Sequence, residues 1–132
     1  MTTIIPDREV DPEQARRVVL CTGKVYFDLL MERRERGIED VALVRIEQLY
    51  PLQDKHIQEV LAPYADGTDL VWVQEEPRNS GGWYYINARI PEMIGGRMTL
   101  RCVSRPESAS PATGSNAAHK LEQKELITDA LS

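Results

Sequence analysis

The sequence predicts an α/β fold in three layers, helices on both faces of a mostly parallel sheet of four to five strands. Three observations carry that expectation. Short apolar runs rich in β-branched residues alternate along the chain with stretches of helical period. The runs are apolar at nearly every position, Val41-Ala42-Leu43-Val44-Arg45-Ile46 being the clearest, as strands covered on both faces are. The length of 132 residues suits one domain, with no internal repeat of solenoid length.

Residues 1–16 contain Pro6 and Pro12 and show no periodicity, so they are expected to be an extended lead-in or linker before a domain over 17–132. Val18-Val19-Leu20-Cys21 reads as a strand ending in the turn Thr22-Gly23. From Lys24 the period is helical: Tyr26, Leu29 and Leu30 share a face, Arg33 extends it with its aliphatic stem, and Gly37 stops it. Arg33, Arg34 and Arg36 interleave with Glu32 and Glu35, the pattern of a solvated helix face. After the second strand, Asp54 is the expected N-cap of a helix carrying Ile57, Val60, Leu61 and Tyr64, stopped by Pro63 and Gly67. Leu70 to Gln74 is the third strand. Trp83, Ile86, Ile90 and Met93 then recur at helical spacing, with Pro91 expected to kink or shorten the helix. Met98 to Val103 is the fourth strand, Ser104 to Asn116 a loop, and Ala117 to Leu131 the last helix.

In such a sheet the loops after the strands gather on one edge, where ligands or partners bind. That edge collects Thr22-Gly23-Lys24, Glu47 to Tyr50, Glu75 to Trp83 and Arg105 to Ser115, which hold nearly all the distinctive chemistry. Little of it reads as catalytic. Thr22-Gly23-Lys24 lacks the earlier glycine of a phosphate loop, Val18 standing there, and there is no G-x-G-x-x-G. Glu75 and Glu76 are adjacent, so in extended backbone they face opposite ways and cannot share a proton. Ser108, Ser110 and Ser115 have no base placed by sequence to activate them. Two histidines, His56 and His119, lie far apart, which argues against a structural zinc site. Cys21 and Cys102 sit in strand-like runs and are expected to be buried reduced thiols.

A formal charge of -5 without a basic patch argues against nucleic acid. No apolar run approaches a membrane span, and the first residues lack a signal-peptide core, so the cytoplasm or an organelle matrix is the expected location. Taken alone, the residues favour an interaction or assembly domain over a complete active site.

Four motifs in order make a specific match. They are Arg17-Val18-Val19-Leu20-Cys21-Thr22-Gly23-Lys24-Val25-Tyr26, Val44-Arg45-Ile46-Glu47-Gln48-Leu49-Tyr50-Pro51, Gln74-Glu75-Glu76-Pro77 through Gly82-Trp83, and Arg105-Pro106-Glu107-Ser108-Ala109-Ser110-Pro111-Ala112-Thr113-Gly114. From about Ile4 to Leu131 the chain resembles the C-terminal domain of the E1 component of 2-oxoglutarate dehydrogenase, and more broadly the transketolase C-terminal domain. The resemblance implies a parent enzyme dependent on thiamin diphosphate and magnesium. That enzyme decarboxylates 2-oxoglutarate and passes the succinyl group to the lipoyl arm of an E2 subunit in the citric acid cycle. A relative acting on 2-oxoadipate would carry similar motifs. The chain contains no G-D-G…N diphosphate motif and no domain with the glutamate that activates the thiazolium. No catalytic, cofactor-binding or metal-binding residue is therefore carried over, and the chain alone is expected to be inactive. Its expected partners are the other domains and second subunit of an E1 dimer. Gln48, Glu75, Glu76, Arg78, Trp83, Arg105 and Ser110 are the candidate inter-domain docking residues. The alternative is a free-standing module of the same fold that binds a small anion or nucleotide through Arg78, Arg105 and the last helix's N-terminus.

Overall fold

Residues 4–106 and 116–132 are described by a computed structural model. The order is β1 (Ile4–Ile5), a single 3-10 turn (Pro12–Gln14), β2 (Arg17–Cys21), α1 (Val25–Arg36), β3 (Val41–Ile46), α2 (Asp54–Leu61), β4 (Asp69–Pro77), α3 (Trp83–Met93), β5 (Thr99–Arg105) and α4 (Asn116–Leu131). The strands form one sheet in the order β1-β3-β2-β4-β5. β3, β2, β4 and β5 are parallel, and β1 adds to the edge antiparallel to β3, with Ile4 opposite Ile46. The three-layer α/β fold expected from the alternation is the fold observed.

Strand alternation sends side chains to two separate cores. Val18, Leu20, Val44, Leu70 and Trp72 meet Ile57 and Leu61 of α2 and Trp83, Ile86 and Ile90 of α3. Val19, Cys21, Leu43, Val71 and Val73 meet Val25 and Leu29 of α1 and Leu126, Ile127 and Leu131 of α4. All five residues of β2 are buried because both its faces are covered. α1 ends as its sequence predicts. Gly37 takes φ +65°, and the N–H groups of Gly37 and Ile38 donate back to the carbonyls of Arg34 and Arg33.

Several boundaries differ from expectation, each for a physical reason. The lead-in is not a separate linker. Ile4 is fully buried, and the Asp7 carboxylate, 2% exposed, accepts from the Arg33 guanidinium and from the Leu43 N–H at 2.6 Å. Arg33 is accordingly no solvated cation. It is 3% exposed and also donates to the Val41 carbonyl at 3.0 Å. Gln53, not Asp54, is the N-cap of α2, and Asp54 instead pairs with Arg89 at 3.1 Å. Pro91 lies in the last turn of α3, which runs only two residues beyond it. β4 continues through Glu75 and Glu76 to Pro77, which pairs with Arg105 beyond a register irregularity after Val73. Pro77 ends the strand, where its missing N–H interrupts no further ladder.

Candidate functional site

The amino edge of the sheet is closed by ion pairs within the chain. Arg17 bonds Asp69 at 2.7 Å and the carbonyl of Ala130 at 2.9 Å, so a cation meets the C-terminal end of α4. Arg101 joins Asp69 at 2.9 Å, Arg16 pairs with Asp40, and Arg97 with Asp66. Burial alone would push the Asp69 carboxyl up. The hydrogen bonds from Arg101 and Arg17 outweigh it and hold the group below the usual carboxylate range.

The carboxyl edge is different, and Gln74 organises it. This buried amide accepts from the Trp72 indole N–H at 2.7 Å and from the Trp83 backbone N–H at 3.1 Å. Its own NH2 donates to the carbonyls of Glu76, Pro77 and Ser80 at 3.2, 2.7 and 2.8 Å. One side chain thus ties the end of β4, the following turn and the start of α3 together. The two glycines complete the turn for separate reasons. Gly81 has φ +68°, a conformation that disfavours any Cβ. A Cβ on Gly82 would stand 2.8 Å from Leu49 Cδ2 and 3.1 Å from Trp72 Cζ2, so here it is close packing that excludes a side chain.

Between Thr22-Gly23-Lys24 and Gln74-Glu75-Glu76 lies a concavity of about 330 Å³. It sits between β2 and β4, where the connections diverge to opposite sides, the place where open α/β sheets bind ligands or partners. Its charges are Lys24 and Glu75, 3.8 Å apart, with Glu76 at the rim. No nucleophile paired with a base lines it. Cys21, at the end of β2, is free and fully buried; burial pushes its thiol up to about 12, although the charge of Arg45 opposes that. Among the described residues that line it, the polar groups are Thr22, Lys24, Gln74, Glu75 and Glu76, with no nucleophile–base pair.

The candidate docking residues separate into three sets. Glu75 and Glu76 lie in the last residues of β4 and Arg78 begins the β4–α3 connection, 5.3 Å from the Trp83 ring centroid. Trp83 itself is 3% exposed and serves as the anchor beneath that turn. Gln48 lies exposed on the β3–α2 loop, its amide donating to the Tyr50 carbonyl at 3.1 Å. Leu49 brings this loop to the glycine turn. Arg105 is turned away. It is 9% exposed and bonds Glu122 at 3.2 Å and the side chain of Gln123, so it pins α4 to the end of β5. Arg105 is thus committed to α4 while Arg78 lies over Trp83, so the two cations of the expected anion site hold different partners. Ser110 lies outside the described residues.

Sequence reasoning missed three features of this edge. One is the five-bond role of Gln74, which an amide following Trp72 at strand spacing could have suggested. A second is the exposed aromatic set. Phe27 (50% exposed), Tyr50 (59%) and Tyr84 (61%) begin α1, precede α2 and begin α3, all at the carboxyl ends of the strands. The third is Arg45 beside Tyr26 and Phe27, for which a single sequence carries no signal.

A diphosphate–magnesium cofactor does not fit the donors present. Among the described residues no group of three or more His, Cys, Asp or Glu could hold a metal ion, and the buried carboxylates of Asp7 and Asp69 are each committed to arginines. No described helix is long and apolar enough to cross a membrane.

Comparison with known proteins agrees with the geometry. Residues 1–131 match the family described as 2-oxoglutarate dehydrogenase C-terminal. The 2-oxoglutarate dehydrogenase E1 component of Haemophilus influenzae is 48% identical over 124 residues, 94% of this chain and 13% of that protein. The E1 component of Cupriavidus necator is 42% identical over 129 residues, covering 97% and 14%. The chain therefore spans about a seventh of the length of the curated relatives it matches. Among solved structures, "Split gene transketolase, inactive beta4 tetramer" superposes with a TM-score of 0.56 at 12% identity, over 90% of this chain and 40% of that one, a likeness of fold. The chain belongs to the 2-oxoglutarate dehydrogenase C-terminal family, the C-terminal domain of the E1 component.

Proposed function

We propose that this chain is an assembly domain, whose carboxyl edge docks on the neighbouring domains and the second subunit of a 2-oxoglutarate dehydrogenase E1. The observation that carries the reading is the contrast between the two edges. At the amino edge Arg16, Arg17, Arg97 and Arg101 are paired with Asp40, Asp66 and Asp69. At the carboxyl edge Glu47, Glu76, Arg45 and Arg78 form no ion pair among the described residues. Among the described residues, three of the five exposed large hydrophobic side chains, Phe27, Tyr50 and Tyr84, lie there as well. Gln74 and the glycine turn would hold that surface rigid, as a docking face requires.

In this reading the chemistry belongs to the complete enzyme, in the cytoplasm of a bacterium or in a mitochondrial matrix. Thiamin diphosphate and magnesium, bound outside this chain, would supply the electron sink for decarboxylating 2-oxoglutarate, and a lipoyl E2 would accept the succinyl group. The domain braces the catalytic region and contributes no reacting group.

Glu76→Ala tests the reading. Its side chain is exposed and forms no ion pair among the described residues, so the 132-residue chain should melt unchanged. In the complete E1 carrying the same substitution, the dimer should dissociate at lower denaturant and specific activity should fall with it. If both remain as in wild type, the docking reading is wrong.

A further inference from the structure

We infer that Arg45 is a receptor for a carboxylate supplied by the docked remainder of the enzyme, an aspartate or glutamate side chain from outside this domain. The inference deepens the docking reading and rests on it. Arg45 is the fifth residue of β3, pairing with Cys21 of β2 on one side and Ile5 of β1 on the other, so it lies near the carboxyl edge. Its guanidinium carbon stands 5.0 Å from the Phe27 ring centroid and 5.5 Å from that of Tyr26, and the two rings meet edge to face. These contacts favour a cation but provide no acceptor for its N–H groups. Its Nε is buried without a hydrogen-bond partner, the one buried side-chain nitrogen or oxygen so placed among the described residues.

A buried donor on a permanent cation is costly to leave unmade, and native structures supply such groups with a partner. Among the described residues none is in place. The buried arginines elsewhere all have theirs: Arg33 has Asp7, Arg17 has Asp69, and Arg105 has Glu122. An acceptor with two suitably spaced oxygens can take two donors of the fork at once, and a carboxylate fits that geometry. Exposed Phe27 beside the guanidinium gives the incoming chain an apolar contact that excludes water from the pair. A protein carboxylate is preferred to a free anion because Phe27, Tyr50 and Tyr84 are exposed at the same carboxyl ends of the strands, apolar area that a docked chain covers and a small ion does not.

Arg45→Met separates the outcomes, since methionine keeps the aliphatic contacts and removes every donor. In the 132-residue chain the melting temperature should stay within about 2 °C of wild type or rise, because an unsatisfied donor is removed. In the complete E1, hydrogen-exchange protection of residues 22–27 and 45–50, gained relative to the 132-residue chain, should fall by about thirtyfold or more. A marked loss of melting temperature in the chain itself would overturn the inference, because the guanidinium would then be satisfied inside the domain. So would full protection in the complete Arg45→Met enzyme, and the docking reading would survive that result. If wild-type E1 shows no added protection over the 132-residue chain, the docking reading itself fails. Acetate and inorganic phosphate are the control probes. If either raises the melting temperature of the wild-type chain and not of Arg45→Met, the site takes a free anion and the protein-carboxylate assignment is overturned.

Discussion

Gln74 shows how one side chain can set the shape of an interaction surface. It uses both faces of an amide, the oxygen accepting two N–H groups and the nitrogen donating to three carbonyls. Glutamate has nearly the same shape and the opposite hydrogen-bond inventory on one of its two atoms. In Gln74→Glu the carboxylate would face three carbonyl oxygens with nothing to donate. We expect the substitution to destabilise the chain by about 2–4 kcal/mol at neutral pH, read by urea unfolding. The loss should shrink as pH falls, because protonation restores one donor. Equal stability of the two proteins at neutral pH would mean that the amide does not organise the turn. The one trace of it in the sequence is the amide's place two residues after Trp72, on the same face of the strand. The stretch Gln74 to Trp83 stood out for its acids and glycines, and the amide before them looked ordinary.

At the scale of elements, the hydrophobic period placed the four parallel strands and four helices, because burial on both faces of a sheet leaves a pattern local enough to read. It failed where stability comes from pairs distant in sequence. Asp7 lies in a segment without periodicity, yet it latches β1, α1 and β3 together through Arg33 and Leu43. Arg33 occupies the apolar face of α1 one turn after Leu29, and a cation there needed a buried carboxylate that no local pattern locates. Burial by itself would push the Asp7 carboxyl up. The bonds from Arg33 and from the N–H groups of Leu43 and Glu9 overcome that and hold it below its ordinary 3.8. With a lowered value in the fold, the folded state binds fewer protons than the unfolded chain as pH falls below about 4. The latch therefore contributes fully above that pH and is lost as pH drops through the folded value. Asp7→Asn should weaken the chain at pH 6 and flatten the fall in stability between pH 5 and pH 3. Parallel pH profiles for the two proteins, from urea midpoints, would show that the latch does not titrate with folding.

At the scale of the whole molecule, two polar edges of one sheet have been resolved differently, and the asymmetry carries a consequence for the chain on its own. At the amino edge Arg16, Arg17, Arg97 and Arg101 are held by Asp40, Asp66 and Asp69. The carboxyl edge leaves Phe27, Tyr50 and Tyr84 half or more exposed beside charges without counterions among the described residues. Apolar area of that kind is stabilised by any surface that covers it, and another copy of the chain is the surface at hand. We therefore expect the 132-residue chain to self-associate weakly, its weight-average mass rising with concentration in sedimentation equilibrium. Tyr84 is the best probe, because among the described residues no hydrogen bond or ring contact holds its exposed side chain, whereas Tyr50 meets Tyr85 edge to face at 4.5 Å. Tyr84→Ser should return the chain to monomer without lowering its melting temperature by more than about 2 °C, as surface substitutions rarely do. In the complete enzyme the same change should weaken the docked domain, since the residue that drives the stray association is then occupied. Self-association undiminished in Tyr84→Ser would move the sticky surface away from this edge, toward the exposed Met31 and Leu121 of α1 and α4. A wild-type chain that stays monomeric throughout would show the aromatic edge to be content in water, and the case for it as a docking face would then rest on Glu76 and Arg45 alone.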